Sequence, residues 1–197
     1  VKPTAPSDWT GQMGKAPSLP YDIEKALKTC VKEITPAGVQ GILKALGYRK
    51  IDDDLAQIIS RGLTQVAEGA NIFYENENGY KTNLMNVNMF LAQIIYDTDG
   101  FIKFEETSIE QRRHDPYWGR GFLKLCGEQK YKDAGKALFS DQSYFCNAEN
   151  LAKLVTDHEL AMKLSVWFWK TKCKLMEGTN FGLTTLAING EIEKSSN

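Results

Sequence analysis

The sequence predicts a mainly α-helical fold with a minor β-hairpin near residues 100–125. Most segments between turn signals place apolar residues three and four positions apart, which is the spacing of one helix face. Long alternating runs of apolar and polar residues, which would predict strands, do not occur, and neither do internal repeats. At 197 residues the chain is long enough to bury one hydrophobic core. We expect an irregular proline-rich arm over residues 1–20, followed by a single helical domain over residues 21–197.

The first predicted helices lie between residues 21 and 69. Residues 21–34 have apolar side chains at helical spacing. Thr35 and Pro36 then indicate a new start, with threonine as the N-cap and proline at the first helical position, and this helix stops at Gly47. Residues 52–69 predict another amphipathic helix, with aspartates at its positively polarised N-terminus.

The second half of the chain begins with a predicted loop. Residues 71–82 are polar and rich in asparagine, and they carry Tyr74 and Tyr80, which could reach a nearby groove. The helix that follows is the most apolar of the chain, so we expect it to be central and buried. The predicted helices of this half cover residues 83–98, 128–139, 147–155 and 157–172.

Composition excludes several classes of function. The net charge is −1, and lysine and arginine are scattered among aspartate and glutamate, so duplex nucleic acid is not an expected partner. The apolar runs are far too short to span a bilayer, so we expect no membrane protein. Val1 in place of methionine fits a processed secreted chain, which is the location we expect, although an engineered start would look the same.

The cysteines and histidines bear on metals and disulfides. The four cysteines, an even number, lack the C-x-x-C spacing of a structural zinc site, and two histidines are too few for a histidine-rich metal centre. We therefore expect no metal and no cofactor. One or two disulfides in an extracellular protein and four reduced thiols both remain open, as does the oligomeric state. The cysteines are Cys30, Cys126, Cys146 and Cys173.

A cluster of carboxylates ends the apolar helix. Asp97, Asp99, Glu105 and Glu106 lie within ten residues of one another. A carboxylate at the end of an apolar helix is partly desolvated, which raises its pKa and suits it to donate a proton. A second carboxylate on the following hairpin could activate water from the opposite side. The alternative is a solvated turn, because the sequence Asp-Thr-Asp-Gly favours a turn by itself.

The order of five motifs resembles that of the family 19 chitinases, which are glycoside hydrolases with a lysozyme-like helical fold. The motifs are "FLAQIIYDTDGF", "FEE", "YWGRGFLKLCGEQKYKDAGKAL", "VWFW" and "LAINGEIE", and the resemblance covers roughly residues 34–193. The residues that match the central and later family motifs are Tyr117, Gly119, Arg120, Gly121, Leu125, Gly127, Tyr131, Trp167, Trp169, Ile188, Asn189, Gly190 and Glu193.

The resemblance implies two catalytic carboxyls. The family's general-acid glutamate falls on Asp97, whose side chain is one methylene shorter, and the preceding histidine falls on Tyr96. A misplacement of about 1 Å can cost roughly a hundredfold in rate. The family's general-base glutamate falls on Glu106, with Glu105 as the alternative if the hairpin register slips by one residue.

Three groove positions depart from the family. A glutamine is replaced by Lys124, the serine or threonine that helps to place the attacking water is replaced by Cys126, and an asparagine is replaced by Lys130. A thiol is a poor hydrogen-bond partner for water, and a lysine near a carboxylate lowers its pKa, which is the wrong direction for a general acid.

Other motif residues have a substrate role or a structural one. The resemblance implies that Asn189 contacts substrate and that Glu193 supports it, although both fit a helix-terminal cap or tight turn equally well. Arg120 either orients the carboxylates or only ties its loop to carbonyls. Tyr117, with Trp118 beside it, could stack on sugar faces, whereas the "VWFW" tryptophans, on an apolar helix, are expected to pack in the core.

Three functions stay open. The first is a chitinase-like protein that recognises β-1,4-linked N-acetylglucosamine polymers, with hydrolysis weakened or lost. The second is an active inverting endo-chitinase, or a peptidoglycan hydrolase on the same fold. The third is a structural or interaction protein that binds no sugar. Lys124 and Lys130 would also suit an acidic glycan, and a nucleophilic thiol at Cys126 is disfavoured because neither histidine is near it in sequence.

Overall fold

The computed structural model describes residues 34–67, 77–108 and 116–173, with the backbone alone for residues 77–85. The described chain is mainly α-helical, which confirms the predicted fold class and is consistent with the lysozyme-like architecture that the motifs imply. The helices are α1 (Pro36–Ala45), α2 (Asp53–Ala67), α3 (Glu77–Thr98), α4 (Glu128–Phe139), α5 (Ala148–Thr156) and α6 (His158–Phe168), with a 3₁₀ turn at Tyr144–Cys146 and a π-helical turn at Trp169–Cys173.

The starts of the first two helices follow from side-chain capping. Thr35 Oγ1 accepts a hydrogen bond from the Gly38 N–H at 3.1 Å, so threonine is the N-cap of α1 as predicted. Asp52 Oδ1 accepts from the Leu55 N–H at 2.7 Å in the same way at α2. Gly47 follows the end of α1 with a φ of +78°, a conformation that glycine adopts without a steric penalty.

The core lies where α2 and α6 meet their neighbours. Helix α2 contacts α1, α3 and α6, and α6 also contacts α4 and α5. The predicted burial of residues 83–98 is confirmed along one face of α3 between Val87 and Thr98. The largest side chains that this core buries almost completely are Phe90, Phe122, Tyr131, Phe145, Phe168 and Trp169.

The tryptophans near the end of α6 pack in this core, as predicted. The Trp169 ring is 1% exposed and meets the ring of Phe90 edge-on, with 5.2 Å between the centroids. Its Nε1–H donates to Asn86 Oδ1 at 2.9 Å, so the buried indole has a partner for its polar atom. Trp167 is partly buried and packs against the edge of the core.

The predicted loop over residues 71–82 is wrong in its second half. Helix α3 begins at Glu77, six residues before the predicted start at residue 83. Asparagine and glycine each cost a helix only about 1 kcal/mol or less, and the context of a long helix readily overrides so weak a preference. Tyr74 lies outside the described residues, and for Tyr80 the structure describes the backbone only.

Among the described residues between 100 and 125, the β structure consists of two isolated antiparallel bridges, Glu105 with Arg120 and Arg120 with Leu125. Around the first bridge, Glu106 donates its N–H to Gly119 O at 2.7 Å and Gly121 donates to Phe104 O at 2.8 Å. Around the second, Arg120 and Leu125 exchange both backbone hydrogen bonds, which closes a loop of four residues. In the described residues 100–108 and 116–125, the β structure is therefore a pair of short bridges rather than extended strands.

No disulfide joins any two of the described cysteines. Cys126 is half-buried, Cys146 is exposed and Cys173 is buried. The predicted helix over residues 21–34, the proline-rich arm and Cys30 fall outside the described ranges, apart from the last residue of that helix. Within the parts of the chain that the structure describes, no helix has both the length and the apolar character needed to cross a membrane.

Candidate functional site

The turn after α3 holds Asp97 at the edge of the core. Thr98 is fully buried, and its Oγ1 donates to Ile94 O and accepts from the Phe101 N–H at 2.9 Å. The chain then reverses through three consecutive residues with positive φ, of which Gly100 has a φ of +69°. A Cβ at Gly100 would lie 2.2 Å from the ring of Tyr48, so the turn requires glycine for conformation and for space.

Asp97 is a partly buried carboxyl with several polar neighbours. Burial raises its pKa to about 6, and the negative charge of Glu106 adds to the rise. A hydrogen bond from Gln93 and the positive charge of Lys124 act in the opposite direction. The predicted base Glu106 and the substituted lysine Lys124 therefore both act electrostatically on the predicted acid Asp97.

The two candidate bases have different partners. Glu106 Oε1 accepts from the backbone N–H groups of Thr107 at 2.8 Å and Ser108 at 3.0 Å. Glu105 Oε2 accepts from Trp118 Nε1 at 3.4 Å, the long end of the hydrogen-bond range. Of the two, Glu106 is the carboxylate whose charge acts on Asp97, which favours Glu106 for the role of base.

The two glycines of the Gly-Arg-Gly loop are required for different physical reasons. A Cβ at Gly119 would lie 2.8 Å from the backbone oxygen of Lys124, so this position must be bare for the loop to close. Gly121 has a φ of +79°, while the nearest atom to an added Cβ, on Ala161, would be 3.6 Å away. Gly119 thus permits a close approach, and Gly121 permits a left-handed backbone.

Arg120 ties this loop together from inside. Its side chain is buried, and Nη1 donates to Pro116 O at 2.9 Å and to Trp118 O at 3.2 Å. The guanidinium also lies 3.8 Å from the centroid of the Trp118 ring. Because Trp118 donates to Glu105, the arginine reaches that carboxylate through the indole as well as through the backbone bridge between Glu105 and Arg120. Arg120 therefore ties its loop to carbonyls, and its role in orienting the carboxylates stays a prediction.

Tyr131, on α4, closes the same loop. Its hydroxyl is a donor and lies within hydrogen-bond distance of two carbonyl oxygens, those of Trp118 and Leu125. Its ring is fully buried. Burial raises its pKa well above the usual range, while Arg120 lowers it in part. The final tyrosine of the motif is therefore a structural clamp under the loop.

The remaining groove residues divide between two places. Lys124, at the end of the four-residue loop, lies within electrostatic reach of both Asp97 and Asp99. Lys130 is on α4, where its ammonium lies 5.7 Å from the centroid of the Phe168 ring and its charge acts on the Cys173 thiol. Cys126 is half-buried and acts electrostatically on Tyr131.

Tyr117 packs on the α4 side of the loop. Its ring centroid lies 5.9 Å from that of Tyr131, and a hydrogen bond joins its hydroxyl to the Cys146 thiol, which raises the pKa of Tyr117. The other two predicted site residues, Asn189 and Glu193, lie outside the described residues.

Sequence reasoning missed Gln93. Its side chain is 2% exposed and it donates from Nε2 to Asp97 Oδ2 at 3.0 Å. The signal that could have found it is the spacing of four residues, since glutamine and aspartate at i and i+4 on a helix are within hydrogen-bond reach.

Comparison with known proteins relates the chain to plant endochitinases. It is 29% identical over 135 residues to Acidic endochitinase SP2 of Beta vulgaris, a match that covers 61% of this chain and 45% of that protein. It is 28% identical over 120 residues to Endochitinase B of Zea mays, covering 55% of this chain and 41% of that protein. The match to Endochitinase CHI of Arabidopsis thaliana is 36% identical over 73 residues, with 37% and 24% covered.

The chain spans less than half the length of these curated relatives. No family model matches the sequence, and no solved structure matches the chain. The relationship to endochitinases therefore rests on sequence similarity, and the endochitinase activity is that of the related proteins.

Proposed function

We propose that this chain is a chitinase-like protein of glycoside hydrolase family 19 that recognises β-1,4-linked N-acetylglucosamine polymers and retains a weakened inverting hydrolysis. Asp97 is the general acid and Glu106 the general base. The order of the sequence motifs and the similarity to plant endochitinases support this assignment. The further substrate-contacting or supporting residues that we propose are Tyr117, Lys124, Cys126, Lys130, Asn189, Arg120 and Glu193.

The observation that carries the proposal is the environment of Asp97. Its pKa of about 6 leaves the side chain about half protonated at pH 6 and roughly one tenth protonated at pH 7, and donation to a glycosidic oxygen requires the protonated form. Glu106 acts on Asp97 as a nearby negative charge, and a pair of neighbouring carboxyls is the usual acid and base arrangement of glycosidases.

Three features account for the weakening. The aspartate side chain is shorter than glutamate by one methylene, which withdraws the proton from the scissile bond. The positive charge of Lys124 lowers the pKa of the acid. A thiol at Cys126, where the family has a hydroxyl, binds an attacking water poorly.

The experiment is proton NMR of an N-acetylglucosamine hexamer incubated with the protein for a day. We expect slow appearance of new anomeric signals that start in the α form, because inversion of a β-linkage gives an α product. Asp97→Asn should remove this turnover and leave binding nearly intact, whereas Asp99→Asn, on the same turn but exposed and paired with Lys103, is the matched control and should retain it.

The result also identifies the alternative. If the hexamer stays intact and its resonances broaden, the protein binds the sugar without cleaving it, and this function replaces the weakened hydrolysis. The positive charge of Lys124 near Asp97 favours this alternative. A hexamer spectrum that the protein leaves unchanged would contradict both proposals and leave a structural or interaction role. Activity that Asp97→Asn leaves unaltered would show that the acid is wrongly assigned.

The type of glycan can be tested through its salt dependence. Binding of a neutral chitin oligomer should be nearly independent of salt, because a neutral ligand has no charge for ions to screen. An acidic glycan or a peptidoglycan fragment held by Lys124 should instead bind less tightly as salt rises. Binding that weakens with salt for the acidic ligand, together with no binding of the neutral one, would overturn the assignment to chitin.

We also propose that the chain is secreted, since this is where a chitin-type polymer is met. Disulfides are the usual sign of an oxidising compartment, and none joins the three cysteines of the described residues, so the proposal of secretion rests on the polymer alone. Detection of the protein in the culture medium of intact cells would support secretion, and retention inside the cells would contradict it.

A further inference from the structure

Gln93 and Asp97 form a fixed pair on one face of α3. They are four residues apart, so the glutamine lies one helical turn before the carboxyl. The Gln93 side chain is 2% exposed, and its Nε2 donates to Asp97 Oδ2 at 3.0 Å. An amide buried to this degree is held by its packing, so it presents its donor to the carboxyl from a nearly constant position.

We propose that Gln93 is a positioning residue, which holds the Asp97 carboxyl through Oδ2 and leaves Oδ1 to carry the transferable proton. This inference rests on the proposed function for the transfer of the proton to substrate, whereas the hydrogen bond itself does not depend on that function. An oxygen that accepts from an amide N–H has that direction occupied, so the proton of the neutral acid belongs on the other oxygen.

The positioning matters because of the way an aspartate carboxyl rotates. The terminal torsion of aspartate is broad, so an unrestrained carboxyl would present either oxygen to a substrate. A hydrogen bond from a buried amide restricts that rotation in both the charged and the neutral forms, since Oδ2 accepts in each. The proton is thereby directed away from Gln93.

The charges around Asp97 define what removing the bond should do. Glu106 raises the pKa of Asp97, and Lys124 and the Gln93 hydrogen bond lower it against the larger effect of burial. A hydrogen bond to a carboxylate favours the charged form, so its loss should raise the pKa.

The test is carbon NMR of the Asp97 carboxyl as a function of pH, in the absence of any sugar. Gln93→Met keeps the length of the side chain and removes the donor, so the midpoint of the Asp97 titration should rise by about one pH unit. Gln57→Met, on the exposed face of α2, is the matched control and should leave the midpoint unchanged. An unchanged midpoint in a folded Gln93→Met protein would overturn the proposal.

A second measurement needs no variant and so does not depend on whether Gln93→Met folds. In the unaltered protein, the side-chain amide resonances of Gln93 should shift with pH at the same midpoint as the Asp97 carboxyl. Amide resonances that pass through that midpoint without moving would overturn the inference. Because neither measurement uses a glycan, a failure of the proposed hydrolysis would leave their outcome unaffected.

If the hexamer is hydrolysed, the kinetics give a third readout. Loss of the donor should lower kcat with little change in KM, and it should move the alkaline limb of the rate profile to higher pH, because the acid stays protonated for longer. A change in KM alone would indicate that Gln93 acts on substrate binding, which would contradict its role in positioning Asp97.

Discussion

Asp97 and Asp99 lie two residues apart and occupy opposite electrostatic environments. Asp97 faces the core edge, where burial raises its pKa to about 6. Asp99 is exposed, and its hydrogen bond and ion pair with Lys103, at 2.7 Å, lower its pKa. One turn therefore contains a carboxyl suited to hold a proton and another suited to remain charged.

Asp97→Asn should stabilise the fold at alkaline pH and not at acid pH. A carboxyl with a raised folded-state pKa favours the native state while it is protonated, below its unfolded value of 3.8, and this contribution is lost as the pH rises through about 6. The variant escapes that loss, so at pH 8 it should gain about 1–3 kcal/mol relative to the unaltered chain. Urea unfolding at pH 8 and near pH 4 measures the difference.

Asp99→Asn provides a control of opposite sign. The lowered pKa of Asp99 contributes stability above its unfolded value, so this variant should lose stability at pH 8 relative to acid pH, by a small amount because the pair is exposed. Parallel pH dependence for the two variants would contradict the assigned environments.

Lys124→Gln should raise the pKa of Asp97 further, because it removes a positive charge that stabilises the carboxylate. The Asp97 carbon resonance should then titrate above the midpoint of the unaltered chain, and the alkaline limb of any hydrolysis should move with it. Lys103→Gln is the matched control, since Lys103 pairs with Asp99. Equal shifts from the two lysine variants would mean that Lys124 has no specific effect on Asp97.

At the scale of elements, the Gly-Arg-Gly loop depends on both glycines. Gly119→Ala should cost about 1–3 kcal/mol, because the new Cβ would press on the Lys124 carbonyl. Gly121→Ala should cost about 1–2 kcal/mol through its left-handed backbone. Gly41→Ala, in the middle of α1 with open space around it, should instead gain about 0.5–1 kcal/mol.

Thermal or denaturant unfolding of these three alanine variants separates local strain from a general intolerance of substitution. Loss of stability in all three would contradict the explanation. A Gly121→Asn variant should lose less than Gly121→Ala, because asparagine visits left-handed conformations more readily than alanine does.

The sequence predicted the helices best where local chemistry fixes their ends. Thr35 and Pro36 at α1 and the glycine before α4 are such positions, and α4 covers its predicted residues 128–139. The predicted start of α3 lies six residues too far along the chain, because the polar residues near 77–82 resemble a loop. Continuation of a helix through such residues depends on tertiary packing, which a short stretch of sequence does not specify. The β-bridges were expected only as a region, since the first of them joins Glu105 to Arg120, which lies fifteen positions further along the chain.

At the scale of the molecule, Trp169 joins the last helical turn to α3. Trp169→Phe should lower the free energy of unfolding by about 1–3 kcal/mol, because it leaves space in the core and removes the donor to Asn86. Trp167→Phe, at a partly buried position on the same segment, should cost less. Urea unfolding compares the two, and an equal cost would mean that the buried indole contributes no more than its half-exposed neighbour.

The sequence predicted which residues form the candidate site, but not how residues far apart along the chain are arranged in it. Asp97 and Glu106 were identified through their order along the chain, and the structure brings both to one locality. The approach of Lys124 to Asp97 depends on the loop that Arg120 and Tyr131 hold closed, which no local pattern specifies. The helical spacing of Gln93 and Asp97 permits their hydrogen bond, but only the burial of Gln93 distinguishes this bond from those of exposed pairs at the same spacing.

The two bridges that share Arg120 make one unit of backbone outside the helices. The Glu106, Arg120, Gly121 and Leu125 amides all donate across this unit. A bonded amide exchanges its hydrogen for deuterium only when the bond opens, and bonds in one cooperative unit open together. After each exchange rate is divided by the intrinsic rate of the same residue in an unfolded chain, mass spectrometry or NMR should find one common opening free energy for these four amides. Widely scattered values would mean that the bridges open independently.

That common opening free energy has a meaning for the site. Each opening would separate Glu106 and the loop bearing Lys124 from Asp97 while the helices remain folded. The protection of four backbone amides would then measure the fraction of time for which the carboxyl pair stays assembled, and conditions that increase this protection should increase that fraction.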